Sequence, residues 1–202
     1  MTLLYAIAHS MERAHFFLEG KVPLIQLRFK NQSLLPYKNQ ITEWILQYRE
    51  SHIIINDNPE FAIAVNAWGA HLGQEDLQHY QPENFFNTSL KLGISTHSVE
   101  EWHIAQQFKP AYVGYGPIFP TKTKTLNYTT HGIHGLATFV QKVSAPVVAI
   151  GGISADKLKD VLKANPWAIA MISGLDHLQT QEDLFFLQRT FLSISQQSAI
   201  NT

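Results

Sequence analysis

Short apolar runs recur along the chain, each ending in small, polar or charged residues. They cover 3–8, 24–28, 52–56, 70–73, 91–95, 111–115, 147–151 and 168–172. Several are apolar without alternation, the pattern of strands buried on both faces in a parallel sheet. Between them the apolar spacing becomes helical. Ile41, Trp44, Ile45 and Tyr48 fall at i, i+3, i+4 and i+7 inside 37–51. Ser98 with Glu101 three residues on makes a capping box that opens a helix over 98–108. Ser154 opens 154–164, with Leu158, Val161 and Leu162 on one face, and 181–193 carries Leu184, Leu187 and Phe191. Alternating strands and helices predict βα units, and eight of them predict a single (β/α)8 TIM barrel, an α/β fold, over 1–202. An open doubly wound sheet is the alternative.

Composition narrows the class. The 202 residues suit one domain, and 45% hydrophobic content suffices for a core. Fifteen Lys+Arg face 16 Asp+Glu, a formal net charge of −1, so there is no basic excess for nucleic acid and no charge-driven disorder. The absence of cysteine excludes disulfides, thiolate metal sites and cysteine nucleophiles. No apolar run approaches the ~18 residues of a membrane span, and the first residues lack a basic signal-peptide region. The expectation is a cytoplasmic protein with no membrane or nucleic-acid partner; homo-oligomer formation is left open.

In a parallel barrel the chemistry sits where strands end. The second strand ends in Gln26, Arg28 and Lys30, which share one side if the strand runs that far. An Arg and a Lys there suit a polyanion such as diphosphate, and a solvated basic strand end is the plain alternative. The third strand ends in Asn56-Asp57, and Gly73-Gln-Glu-Asp76 follows the fourth. Two carboxylates on adjacent strand ends suit Mg2+, or they are helix N-caps. The connection 116–131 carries Thr121, Thr123 and Lys124, which fit phosphate chemistry without a Walker loop. Gly151-Gly152 and Ile172-Ser173-Gly174 follow the last two strands, where this fold builds its phosphate cup. His71 on the fourth strand and Ser95 on the fifth can face the mouth. His131 and His134 lack a third ligand, and neither a His-Glu-x-x-His nor a Gly-x-Ser-x-Gly motif occurs.

Taken in order, Gln26-Leu-Arg28, Ile55-Asn-Asp57, His71-Leu-Gly-Gln-Glu-Asp76, Gly116-Pro-Ile-Phe-Pro-Thr-Lys-Thr-Lys124, Val148-Ala-Ile-Gly-Gly-Ile153 and Met171-Ile-Ser173 resemble the thiamine phosphate synthase family. The resemblance spans residues 3 to 195. It implies a transferase that couples 4-amino-5-hydroxymethyl-2-methylpyrimidine diphosphate with 4-methyl-5-(2-phosphoethyl)thiazole, giving thiamine phosphate and diphosphate. The implied mechanism is dissociative: diphosphate leaves first, and the thiazole nitrogen captures a pyrimidine cation. By the same resemblance Asp57 and Asp76 hold Mg2+, and Arg28, Lys30 and Lys124 stabilise the leaving diphosphate. Asn56 helps bind it, Gln26 and His71 lie near the aminopyrimidine, and Ser95 lies close to the reacting substrate. Thr121, Thr123, Gly152 and Ser173 bind the thiazole phosphate.

The chain departs from the family's pattern after the first strand. The connection 9–23 is short, and Ala8-His9-Ser10 replaces a polar Thr-Asp. The expectation is a shortened first βα unit, its helix reduced to one irregular turn. Two other functions stay in view. One is a thiazole tautomerase of the same superfamily, using a histidine such as His97. The other is a barrel that binds thiamine phosphate or a precursor without catalysis. The Asp57/Asp76 pair argues against both.

Overall fold

The computed structural model describes residues 1–30, 32–121 and 129–200. Eight parallel strands close on themselves in sequence order. They are β1 (Leu3–Ala8), β2 (Leu24–Leu27), β3 (His52–Asn56), β4 (Gly69–Leu72), β5 (Lys91–Thr96), β6 (Tyr112–Tyr115), β7 (Val147–Ile150) and β8 (Ala168–Met171). Closure is made by β1 against β8, with Leu3 opposite Ala168 and Ala6 opposite Met171. It removes the unpaired edges of an open sheet. The doubly wound alternative is thereby set aside.

The outer layer holds α1 (Met11–Glu19), α2 (Lys38–Gln47), α3 (Pro59–Ala64), α4 (Gln74–Leu77), α5 (Glu83–Phe86), α6 (Val99–Ala105), α7 (Gly132–Lys142), α8 (Leu158–Lys163) and α9 (Gln181–Ile200). No helix among the described residues is long and apolar enough to cross a membrane.

The first βα unit corrects the expectation of an irregular turn. α1 is a regular nine-residue helix. Ser10 caps it by accepting the Arg13 N–H at 3.2 Å, and Ala14, Phe17 and Leu18 form its buried stripe. Arg13 then ties α1 to the far side of the closure, donating to the carbonyls of Leu175 and Leu178 at 2.9 Å each. Nine residues give two and a half turns, enough to cover the strand beneath, so a short connection does not open this edge of the barrel.

Strand periodicity divides the core in two. Leu4, Ala6, Ala8, Ile25, Leu27, Ile53 and Ile55 face outward into the main cluster under the helices. Tyr5, Ile7, Leu24, Ile54, Tyr112, Val148, Ala168 and Ala170 face inward and fill the barrel. Trp68 and Trp167 pack against that inner cluster, their rings stacked or tilted on Tyr112 at 6.4 and 5.6 Å between centroids. Moving two residues up β2 to β5 changes the interior chemistry, while β1, β7 and β8 stay apolar at Ile7, Ile150 and Ala170. Leu24 gives way to Gln26, Ile54 to Asn56, Gly69 to His71, and Gly93 to Ser95. The same period that buries an apolar floor therefore lifts a polar layer to the C-terminal mouth.

Candidate active site

A cavity of about 640 Å3 opens at that mouth. Gln26, Arg28, Asn56, Asp57, His71, Asp76, Ser95, Thr121, Gly152 and Ser173 all line it. Lys30 does not. β2 ends at Leu27, the Arg28 N–H makes one more bond to the Ala8 carbonyl at 2.9 Å, and the chain then turns, with the Gln32 N–H on the Phe29 carbonyl. The period of two stops there, so Arg28 faces the cavity while Lys30 is exposed beyond it. Thr123 and Lys124 lie outside the described residues.

The carboxylates are more than helix caps. Asn58, not Asp57, caps α3, its Oδ1 accepting the Phe61 N–H at 2.9 Å. Asp57 sits in the left-handed region at φ 57, with its own N–H on the His71 carbonyl at 2.9 Å. Asp tolerates this conformation better than most residues, and it leaves the carboxylate uncommitted to the helix. Asp76 lies in the first turn of α4, its Oδ2 accepts the Gly73 N–H at 2.7 Å, and its side chain meets the Asp57 carboxyl in the cavity. Asp57 is open to solvent at the mouth, yet its pKa is pushed up to about 6 from 3.8. Partial burial is the main cause and the adjoining Asp76 carboxylate the next, with Arg28 and Asn56 opposing them.

Two carboxylates pressed together against their charge form a donor set that an oxygen-seeking dication fits. No group of three or more His, Asp or Glu able to hold a metal occurs among the described residues.

Below the carboxylates runs a string of hydrogen bonds. Gln26 Nε2 donates to the Tyr5 hydroxyl at 2.8 Å, and the Tyr5 and Tyr112 hydroxyls lie 2.8 Å apart. His71 holds Tyr112 Oη at 3.0 Å through Nδ1 and Ser95 Oγ at 2.9 Å through Nε2. Burial, with the Arg28 guanidinium nearby, lowers the His71 pKa to about 4. The ring is therefore neutral at ordinary pH. Tyr5, which lines the cavity, and Tyr112, which does not, read as core residues in their apolar runs. Gln74 also escaped the sequence reading. Its Nε2 donates to the Ser95 carbonyl at 2.6 Å, clamping the loop after β4 to β5.

His97 lines the cavity beside Ser95, and its Nδ1 lies 2.8 Å from Glu101 Oε2. The same carboxylate oxygen accepts the His97 N–H at 2.6 Å, while the Glu101 N–H donates to Ser98 Oγ at 3.2 Å. These bonds fix the start of α6: Ser98 caps it as the sequence predicts, while Glu101 reaches back one residue further, to the His97 N–H instead of that of Ser98.

The opposite wall joins glycine backbone to uncharged side chains such as Val148, Ile150 and Met171. Gly151 and Gly152 have φ of 100 and 64. A Cβ on Gly152 would lie 2.5 Å from the Pro120 carbonyl oxygen, so only glycine lets the loop after β6 close onto β7. Lys157 fastens this corner, donating to the Gly152 carbonyl at 2.9 Å with its Nζ 4.8 Å from the centre of the Phe119 ring. Ser173 begins a single 3-10 turn, Ser173–Leu175, after β8. Loops from β7 and β8 in this position form the usual phosphate site of the fold.

The sequence pattern of the family described as thiamine monophosphate synthase matches residues 4–175. The chain belongs to this family. It is similar to the thiamine-phosphate synthase of Cronobacter sakazakii (strain ATCC BAA-894), 35% identical over 175 residues that cover 85% of this chain and 83% of the relative. The thiamine-phosphate synthase of Photorhabdus laumondii is 34% identical over 191 residues, covering 91% and 88%. Among solved structures, the thiamine phosphate pyrophosphorylase from Pyrococcus furiosus superposes with a TM-score of 0.75 at 27% identity, covering 95% of this chain and 96% of that one. The family resemblance and the barrel expected from the sequence thus stand together.

Proposed function

We propose that this chain catalyses the thiamine phosphate synthase reaction at the cavity described above. It joins 4-amino-5-hydroxymethyl-2-methylpyrimidine diphosphate to 4-methyl-5-(2-phosphoethyl)thiazole and releases diphosphate. The observation that carries this reading is the Asp57/Asp76 pair beside Arg28, in one cavity with the Gly152 and Ser173 loops. One small volume then offers a cation-dependent polyanion site and a separate phosphate cup.

Asp57 and Asp76 would hold Mg2+, which when bound supplies positive charge against the departing diphosphate. Arg28 adds a fixed, bidentate donor to that charge, and Asn56 a neutral one. Gln26, His71 and Ser95 orient the pyrimidine. A neutral His71 adds no cationic charge beside a developing pyrimidine cation, and the attacking thiazole nitrogen carries no proton, so no side chain has to act as a strong base. Thr121, Gly152 and Ser173 hold the thiazole phosphate, joined in this reading by Thr123, while Lys124 adds its charge against the departing diphosphate. A pure binding protein or a proton-transferring tautomerase has no evident use for two adjoining carboxylates facing an Arg.

A coupling assay tests the reading. The purified chain is mixed with both substrates, with Mg2+ or with EDTA, and thiamine phosphate is followed by chromatography. Metal-dependent product is expected. No product from folded protein, where a known synthase works, overturns the proposal.

A further inference from the structure

The hydrogen-bonded string under the cavity has a direction. Gln26 meets Tyr5 through its Nε2, which can only donate. The Tyr5 oxygen is therefore an acceptor, and its own proton must go to Tyr112, 2.8 Å away. In the reverse order that proton would have no acceptor, in a side chain 1% exposed. Tyr112 in turn donates to His71 Nδ1 at 3.0 Å, so the neutral ring carries its one proton on Nε2 and gives it to Ser95 Oγ at 2.9 Å. At one end Gln26 keeps its Oε1 for a ligand. At the other, Ser95 keeps its hydroxyl proton.

We propose that Tyr112 is a positioning residue that fixes this polarity, so that the cavity offers an acceptor at Gln26 and a donor at Ser95 to the pyrimidine diphosphate. The assignment of that ligand rests on the synthase reading. Tyr112 is fully buried and does not line the cavity, so it acts only through His71 and Tyr5. The strand pairing makes room for it. Gly93 stands in register between His71 on β4 and Tyr112 on β6. A Cβ there would lie 2.1 Å from Tyr112 Cζ and 2.3 Å from its hydroxyl oxygen. With glycine at that point the phenol passes across β5 and lies nearly parallel to the imidazole, 5.6 Å between ring centres at 24°. Reversing the string would turn the Ser95 donor into an acceptor and demand a flipped Gln26 amide, a ligand face of opposite pattern.

Nitrogen-15 NMR of the imidazole, without substrate, tests the polarity directly, with His71 assigned by a His71→Gln control. The wild-type ring is expected as the Nε2–H tautomer, and an Nδ1–H tautomer overturns the proposal. Tyr112→Phe should lose the single tautomer. It should also lower kcat/KM for the pyrimidine diphosphate about 10- to 100-fold, while the KM for the thiazole phosphate stays within about twofold. A folded Tyr112→Phe protein with unchanged tautomer and unchanged kcat/KM overturns it as well. Should that variant fail to fold, Tyr5→Phe decides. It leaves the Tyr112 donor in place, so the Nε2–H tautomer should persist while the KM for the pyrimidine diphosphate rises. Loss of that tautomer in Tyr5→Phe counts against the proposal. A wild-type protein inactive in coupling removes the synthase reading and the ligand assigned here, whereas the substrate-free tautomer judges the polarity by itself.

Discussion

The two sides of the barrel mouth are built from different parts of the chain. From β2 to β5 the cavity wall is side chains: Arg28, Asn56, Asp57, His71, Asp76 and Ser95. From β6 to β8 it is glycine backbone set among apolar side chains, with Gly114, Gly116, Gly151 and Gly152 beside Val148, Ile150 and Met171. The first side works by charge whose strength depends on burial and on neighbours, as the raised Asp57 and lowered His71 show. The second works by shape, through conformations at φ 100 and 64 and a carbonyl 2.5 Å from where a Cβ would stand. A side-chain wall should respond to pH, cations and isosteric substitutions. A backbone wall should ignore all three and fail at the first added methyl group.

The sharpest break in this comparison is Asp57→Asn. Asn keeps the size and tolerates the left-handed backbone at φ 57. It removes one of the two charges that would hold the cation. Turnover should fall by about 1,000-fold or more, some 4 kcal/mol of lost electrostatic stabilisation. The melting temperature should not drop, because Asn58 and not residue 57 caps α3. Asp76→Ala should lose turnover comparably but also cost about 1 kcal/mol of stability, since its Oδ2 holds the Gly73 N–H. Near-normal kcat in Asp57→Asn, measured at saturating Mg2+, would remove that carboxylate from the chemistry.

Gly152→Ala tests the other wall. The new methyl group meets the Pro120 and Phe119 carbonyl oxygens at 2.5 and 2.7 Å, at a φ of 64. The loop after β6 has to retreat. The KM for the thiazole phosphate should rise about 10- to 100-fold, with a cost of about 1–3 kcal/mol in stability. The KM for the pyrimidine diphosphate should change by less than about threefold if the two walls serve different substrates. Equal effects on both substrates, read from steady-state kinetics, would merge the two walls into one.

The same division governs what the sequence disclosed. Runs such as His52-Ile-Ile-Ile-Asn56 declare a buried strand and end on the residue that enters the site, so strand positions and the side-chain wall were both legible. Asp57 and Asp76 stood out because they follow adjacent strands, although an N-cap role was the open alternative. The short helices were not legible. α3 has six residues and starts at Pro59, too little chain for a period of 3.6 to register. α7 contains Gly132 and Gly135, which speak against a helix locally, and its amphipathic packing overrides them. α1 was misjudged from the length of its connection, although Ser10 and the spacing of Ala14, Phe17 and Leu18 encode it. Lys30 followed the period of two in sequence but lies past the turn that ends it. Tyr5 and Tyr112 were hidden for a different reason. An aromatic in an apolar strand looks like core, and only three dimensions bring its hydroxyl to a histidine on another strand.

Proton and cation should compete on the side-chain wall. With its pKa at about 6, Asp57 is ionised above that pH and protonated below it. Mg2+ affinity, followed by calorimetry, should be flat above about pH 6.5 and weaken roughly tenfold per pH unit below about 5.5, with the proton taken up as metal leaves. The sign for stability is the reverse. In the metal-free protein the folded state holds this proton more tightly than the unfolded chain, whose value is 3.8. Between pH 3.8 and about 6 this group's contribution to stability therefore falls as pH rises. Asp57→Asn should abolish both slopes. A pH-independent Mg2+ affinity down to pH 5 would separate Asp57 from the metal.

The smallest expected effect concerns how the backbone wall is held. Lys157 donates to the Gly152 carbonyl at 2.9 Å and lies over Phe119, so it bridges the loop after β6 and the turn after β7. One partly exposed hydrogen bond and one cation–π contact are each worth about 0.5–1.5 kcal/mol. Lys157→Met keeps the stem and removes the charge. The KM for the thiazole phosphate should rise about two- to fivefold, with kcat and the KM for the pyrimidine diphosphate unchanged within about 1.5-fold. Lys157→Arg should restore part of the loss, because a guanidinium can still donate to the carbonyl and stack on the ring. The difference between walls predicts this selectivity: a group that acts only on glycine geometry should touch only the substrate that geometry holds. If Lys157→Met instead raised the KM for the pyrimidine diphosphate, the corner it fastens would belong to the charged wall, and the Gly152 turn would have to be read as a support for both substrates.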